Sequence, residues 1–256
     1  MKCRILVVLL IAVIAFSSVG CKESEEKKVE IFSTYVTEKI LHDVPVSEEK
    51  KQPARFSFSG AKGERETAQI ILTPNYNIGS YSISASDLSG ENGVFSAENF
   101  TIYHQKYIPV TTGSDGLDSM LGNYPDALLP YEKAVEYGEN HIDSGENQAI
   151  VIEVAIPSDQ SAGVYSGAFS LIVDGEEYLI GASVEVYDVF LPETVSANSM
   201  FLIGREELIY GELDNSLEMY KKYCDTLLEY RITPYLLPVS QGDYTGYAAA
   251  VKILGK

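Results

Sequence analysis

From Ile31 to about Glu193 apolar and polar residues alternate in short runs. In Val164–Val173, Tyr165, Phe169, Leu171 and Val173 share one face, and Ser166, Ala168 and Ser170 the other. That period of two is the signature of a half-buried β-strand. Asp174-Gly175 follows, a pair suited to a tight hairpin turn because glycine accepts positive φ. Alternation then resumes through Tyr178, Ile180, Ala182, Val184 and Val186. Ile150, Ile152, Val154 and Ile156 mark another strand. Ala68, Ile70 and Leu72 mark a fourth, closed by Pro74, and Tyr81, Ile83 and Ala85 a fifth. Phe100, Ile102 and Ile108 belong to a sixth, and Ile31–Val36 adds one more. No amphipathic helix stands between these runs, so the pattern predicts a mainly β fold, an antiparallel β-sandwich, and not a parallel sheet with crossovers. Residues 111–147 form a long connection without a period. Leu128-Leu129, held between Pro125 and Pro130, reads as a rigid docking segment within it.

After Pro192 the period changes. Met200–Ile203 reads as a short strand ended by Gly204. Asp214 or Asn215 is the expected N-cap of a helix, with Glu218 three residues beyond Asn215. Leu217, Tyr220, Cys224, Leu227 and Leu228 fall on one helical face. The helix must stop before Thr233-Pro234, because the residue before a proline avoids the helical region. Tyr235-Leu236-Leu237 is the next strand. This is one β-α-β unit, the incomplete start of a (β/α)₈ barrel. Ser199–Lys256 is far shorter than the roughly 250 residues of a whole barrel, so the expectation is a truncated one.

The amino terminus has its own grammar. A basic start, Lys2 and Arg4, precedes the apolar run Ile5–Phe16, shorter than the roughly 20 residues that span a bilayer. Ser17-Ser18-Val19-Gly20 and then Cys21 resemble a bacterial lipoprotein signal. The expected organisation is a signal peptide over 1–20, a charged tether over 21–30, a sandwich over 31–193, a linker over 194–198 and the barrel start over 199–256. Membrane lipid joined to Cys21 is the expected partner, and the expected location is extracytoplasmic.

Composition narrows the function. A net charge of −18 argues against nucleic acid, whose phosphates need a basic footprint. Eighteen tyrosines and no tryptophan suit half-wet strands. Of three cysteines, Cys3 leaves with the signal and Cys21 takes lipid. Cys224 is left alone on an apolar helix face, so no disulfide is expected. His42, His104 and His141 are scattered along the chain, and neither a metal nor any other cofactor is predicted.

Several stretches occur in an order that resembles glycoside hydrolase family 123 and relatives described as a domain of unknown function. They are Gly63-Glu64-Arg65-Glu66-Thr67-Ala68-Gln69, Tyr124–Pro130, Ile156-Pro157 with Gly163–Gly167, Val186–Glu193 and Tyr230-Arg231-Ile232-Thr233-Pro234. The resemblance implies a β-sandwich before a (β/α)₈ barrel, and hydrolysis of terminal β-linked N-acetylgalactosamine assisted by the substrate's own acetamido group. It also implies an adjacent Asp-Glu catalytic pair, to which no residue here is matched, so no catalytic residue is assigned and the chain alone is expected to be inactive. Barrel sites form at the C-terminal ends of strands, which singles out Arg205 and Glu206 as substrate-binding candidates, with Glu207 beside them. Tyr124 is a third candidate, as a stacking platform for a sugar, beside the plainer reading that it packs against the barrel. Asp115, Asp118 and Asp126 are acids of the long connection, expected on any solvated face of so acidic a chain. Arg65, between Glu64 and Glu66, reads as a solvated or interdomain ion pair. The expected function is the amino-terminal portion of a lipid-anchored glycoside hydrolase-like protein acting on terminal N-acetylhexosamine or related glycans. The alternative is a non-catalytic surface sandwich with a binding or structural role.

Overall fold

The computed structural model describes residues 26–113, 121–192, 199, 201–203 and 212–235. Two six-stranded sheets face one another. The first contains β1 (Val29–Thr34), β2 (Gln52–Pro53), β4 (Arg65–Pro74), β8 (Phe100–Val110), β9 (Gly122–Pro130) and β10 (Gln148–Ala155), in the order β2-β1-β4-β10-β8-β9, with every pairing antiparallel. The second contains β3 (Arg55–Lys62), β6 (Leu88–Gly90), β7 (Gly93–Phe95), β11 (Gly163–Val173) and β12 (Glu176–Phe190), in the order β3-β12-β11-β6-β7. Its sixth strand, β5 (Tyr81–Ser84), also pairs with β11.

The predicted alternation holds where the two sheets meet. Tyr165, Phe169, Leu171 and Val173 are buried, as are Ile180, Ala182, Val184 and Val186. Asp174 and Gly175 turn the β11–β12 hairpin with φ of 47° and 90°, the left-handed geometry that a twisted hairpin selects. Phe100 of the first sheet meets Phe169 edge-on at 5.1 Å between ring centres, and also touches Phe58 and Phe95 of the second. Each such buried aromatic stabilises the sandwich by roughly 2–3 kcal/mol through area alone.

The structure departs from the sequence reading in several places. One pairing within the sandwich is parallel: β3 runs alongside β12. These strands are far apart in the chain, so no tight turn dictates their direction. The connection over 111–147 contains β9 and the helix α1 (Tyr131–Glu136). Leu128 and Leu129, read as a docking segment within an aperiodic connection, are rungs of an edge strand, opposite Gln105 and His104. Its two prolines are tolerated because an edge strand has one unpaired side. Ile108 is exposed, because β10 pairs with β8 only as far as His104 and the strand then runs past the core. The end of the expected tether is fastened to the sandwich: Asn75 exchanges backbone and side-chain hydrogen bonds with Lys28 and Glu26.

Beyond Pro192, β13 (Phe201–Leu202) and β14 (Pro234–Tyr235) pair in parallel across α2 (Leu217–Glu229), a β-α-β unit as predicted. The N-cap is Ser216, whose Oγ accepts from the Met219 N–H at 3.1 Å. Asp214 instead accepts from the Ser216 N–H, and that bond holds its carboxyl below the usual range. Tyr220 and Cys224 are buried, and burial pushes the Cys224 thiol upward, as expected for a small apolar packing residue. Leu228, assigned to the same face, is exposed.

Candidate functional site

Two polar constellations stand out against the apolar sandwich. The first joins α2 to the outer face of the first sheet. Arg65 opens β4, and the alternation of that strand turns its side chain away from the core. Its Nη1 donates to Glu153 Oε1 of β10 at 2.6 Å, and its Nη2 bonds Glu229 at the end of α2. Glu153 is 6% exposed, and its other oxygen accepts the Tyr230 hydroxyl at 2.5 Å. Burial and the neighbouring Glu153 raise the Tyr230 phenol above its ordinary range, so it remains a donor. The Arg65 guanidinium also lies over the Tyr230 ring, 5.5 Å from its centre.

Arg231 completes this clamp. It sits at φ 58° in the left-handed position that ends α2, where glycine is the usual residue. The Ile232 N–H reaches the Leu227 carbonyl and the Arg231 N–H the Leu228 carbonyl, closing the helix in a Schellman motif. The side chain donates from Nη2 to the Gly63 carbonyl at 2.7 Å and from Nε to the Pro192 carbonyl at 3.3 Å. Gly63 has φ 82°, and a Cβ there would come within 3.3 Å of the Leu191 carbonyl. Its N–H is held by the Ile156 carbonyl at 2.8 Å. Four of the stretches behind the family resemblance thus meet at one place, those containing Gly63, Ile156, Pro192 and Tyr230. Arg65 is the ion pair its sequence context suggested.

The second constellation is a cavity of about 200 Å³ at the end of the sandwich that the β8–β9 ladder overruns. His42, His104 and His141, scattered in the sequence, all line it. His104 is 4% exposed, and its Nδ1 lies 2.7 Å from the Tyr81 hydroxyl. Burial lowers the imidazole from 6.5 to about 4 and raises the Tyr81 phenol, so both are neutral at pH 7. Among the described residues the Tyr81 hydroxyl has no other acceptor, so it donates to Nδ1 and leaves the proton of His104 on Nε2. His42 is set by its backbone bonds to Asn123 and Asn147, and its ring packs on Tyr107 with centres 4.5 Å apart. His141 Nδ1 donates to the Gly138 carbonyl at 2.9 Å, which leaves Nε2 as an acceptor. Gln148 spends both amide protons on the Gln105 and Ala149 carbonyls, which leaves its Oε1 free to accept.

The charged groups here already lie against protein partners. Lys106 bonds Glu139, and His42 lies 3.4 Å from Glu146. The bond from Lys106 lowers the Glu139 carboxyl, the opposite of what a general acid needs. Among the described residues only Glu66 has a carboxyl shifted upward, by burial and then by Glu64, and it does not line this cavity. No group of His, Cys, Asp or Glu among the described residues is arranged to hold a metal ion.

Of the predicted site residues, Arg205, Glu206 and Cys21 lie outside the described residues, as do Glu207, Asp115 and Asp118. Tyr124 lies on β9 opposite Ile108, and its neighbour Asn123 lines the cavity instead, since successive strand residues face opposite ways. The sequence reading missed the cavity. Its signal was a polar run, His104-Gln105-Lys106, inside a strand, matched by Asn147-Gln148 where the neighbouring strand begins.

Residues 39–172 match the family model described as the glycoside hydrolase 123 N-terminal domain. No curated protein matches the chain. Among solved structures, a family 123 glycoside hydrolase from Clostridium perfringens, studied for glycolipid glycan hydrolysis, is similar at a TM-score of 0.57 and 20% identity. That match covers 80% of this chain and 36% of that one, so the chain spans about a third of its length. A β-glucosidase from Listeria innocua has a TM-score of 0.26 and 12% identity, over 65% of this chain and 17% of its own. A putative membrane anchored protein from Corynebacterium diphtheriae has 0.28 and 15%, over 67% and 38%. The family model spans more than half of the sequence and the sandwich has the corresponding fold, so the chain belongs to the glycoside hydrolase 123 N-terminal domain family.

Proposed function

We propose that this chain is the amino-terminal part of a lipid-anchored, cell-surface glycoside hydrolase acting on terminal N-acetylhexosamine or related glycans. In this reading the sandwich is its rigid support and not its catalytic centre. The observation that carries it is the clamp. Arg65, Glu153, Tyr230 and Arg231 fix the end of α2 on the first sheet, and α2 belongs to the parallel β-α-β unit from which barrels are built. Barrel sites are assembled from the ends of several strands, so the first unit must be held in a fixed orientation for the rest to add in register.

Anchorage rests on the sequence from Lys2 to Cys21. Two or more acyl chains on one residue hold a protein stably at a membrane, where one is marginal. Among the described residues no helix is long and apolar enough to cross a membrane.

The test is genetic and enzymatic. Membranes from cells carrying the gene should release nitrophenol from a nitrophenyl N-acetyl-β-galactosaminide, or from a related N-acetylhexosaminide, and deletion should remove that activity. Palmitate should label the wild-type protein and not Cys21→Ser. Unchanged hydrolysis of all these substrates after deletion would overturn the reading.

A further inference from the structure

The geometry points to a binding site for a single neutral sugar ring in the three-histidine cavity at the end of the sandwich, separate from any hydrolytic centre. The first argument is charge. Of the charged groups that line the cavity, Lys106 is paired with Glu139, and Glu146 lies 3.4 Å from the His42 ring. An anionic guest would meet two carboxylates, and a cationic one would compete with bonds already made. A guest without net charge disturbs neither contact. The absence of any metal-holding group among the described residues sets aside the usual alternative for clustered imidazoles.

The second argument is the alternation of donors and acceptors. Among the described residues no buried side-chain nitrogen or oxygen lacks a partner. The atoms here that have no protein partner are therefore solvent-accessible, on residues that line the cavity. They are His104 Nε2–H as a donor, and Gln148 Oε1 and His141 Nε2 as acceptors. The outer lone pairs of Glu139 and Glu146 add further acceptors. A ligand that must both give and take hydrogen bonds at close spacing is a polyol, since each hydroxyl does both. The third argument is shape. The His42 and Tyr107 rings, tilted by 31° with centres 4.5 Å apart, put aromatic surface beside the cavity, and such surface is what the C–H face of a pyranose packs on. A volume of about 200 Å³ lies below the roughly 300–1,000 Å³ of drug-sized ligand pockets, so the cavity suits one ring and not a chain of them.

The site is built and not incidental. His104 is locked by Tyr81. The Tyr81 carbonyl in turn accepts from Tyr131 at 2.7 Å and from Asn140 at 3.0 Å, beside His141. Asn147 holds the other wall, donating from its side chain to the Leu41 and Val44 carbonyls and from its backbone to that of His42.

The chain has three histidines in all, and each lines this cavity. Imidazole ring C–H signals in an NMR titration of the full chain therefore report on this site alone. Galactose, N-acetylgalactosamine, glucose and mannose are added separately, with inorganic phosphate and zinc chloride as controls. At least one sugar should move the histidine signals saturably in the millimolar range. His141→Ala, an exposed loop change that leaves the fold intact, should weaken that binding about five- to tenfold, as the loss of one hydrogen bond implies. Asn123→Ala serves as a second variant on the opposite wall. Backbone amide spectra establish that both variants are folded. Silence of the histidines with every sugar, binding by both variants as tight as by the wild type, or shifts with phosphate or zinc alone would each overturn the assignment. None of these readings depends on hydrolysis, so they stand or fall apart from the proposed enzymatic role.

Discussion

Glu153 of β10 accepts the hydroxyl of Tyr230 at 2.5 Å, joining residues 77 apart in the chain. The same carboxylate takes Arg65 on its other oxygen, so a nearly buried charge is held by one cation and one neutral donor. Removing one side of such a pair is more harmful than removing both, because a buried charge is then left under-compensated. Arg65→Met should destabilise the protein by about 2 kcal/mol, less than the full 3–5 because Tyr230 still donates and Arg65 is partly exposed. Arg65→Met combined with Glu153→Leu should cost less than Arg65→Met alone. Urea denaturation of the two variants measures the difference. A double variant less stable than the single one would mean that the clamp acts by packing and not by charge compensation.

The buried imidazole makes a separate prediction, about pH. Burial lowers His104 from 6.5 to about 4 in the folded protein. Between those values the unfolded chain binds a proton that the folded one refuses, so stability falls as pH drops from about 6.5 towards 4. The full effect of this one group is about 3 kcal/mol. Carboxylates held low, such as Glu139, add their own losses only as pH falls below about 4.5, so the upper part of the window belongs to the histidine. Chemical denaturation repeated from pH 7 to pH 5 should show the slope in the wild type and a flatter one in His104→Gln. Equal slopes would refute the assignment.

How far the sequence led can be judged residue by residue. Strands β11 and β12 were legible because each buries one face, and a period of two is unambiguous when the buried side chains are Ile, Val, Phe and Tyr; β10, buried on both faces, was legible from the spacing of Ile150, Ile152 and Val154. β9 was not legible. As an edge strand that outruns the core it has no buried face, and Pro125 and Pro130 argued against it. The cap of α2 was ambiguous because Asp214, Asn215 and Ser216 are all good cap residues, and only the backbone path selects Ser216. The parallel pairing of β3 with β12, and the meeting of His42, His104 and His141, depend on contacts between distant segments that no local pattern encodes. Arg65 lay between: its charge environment suggested an ion pair, but not that Glu153 and Glu229 would be the partners.

The β11–β12 turn tests whether local chemistry or the core sets the register of the longest hairpin. Asp174 holds φ 47°, and its Oδ1 accepts from the Gly79 and Ser80 N–H groups at 3.0 and 3.1 Å. Alanine would lose the tolerance for that backbone region together with both bonds, and Asp174→Ala should cost about 2 kcal/mol. Asparagine keeps a carbonyl oxygen in place and accepts the left-handed conformation, so Asp174→Asn should cost less than about 1 kcal/mol. Equal losses in thermal or urea unfolding would show that the side-chain carbonyl is not what matters at this position.

Cys224 reports on the β-α-β unit itself. Tyr220 and Cys224 form a very small apolar cluster, supported by Ile203, Met219 and Tyr223, while the sandwich has two dozen buried apolar residues around its centre. Among the described residues the unit buries little apolar surface and is held to the sandwich by its polar clamp, so it should open well before the sandwich unfolds. The thiol is buried and raised above its ordinary range, so it reacts only in the opened state. Alkylation of Cys224, followed by mass spectrometry of its peptide, should therefore run faster than global unfolding allows. Arg231→Gly sharpens the test. Glycine suits the left-handed position better by about 1 kcal/mol, so the helix end itself should gain. The bonds to the Gly63 and Pro192 carbonyls disappear, however, and with them part of the hold on the sandwich. Alkylation should accelerate about three- to tenfold in Arg231→Gly while the melting of the sandwich hardly moves. Slower alkylation would mean that the strain at Arg231 outweighs its contacts, and that α2 is held on the sheet by Arg65 and Tyr230 without it.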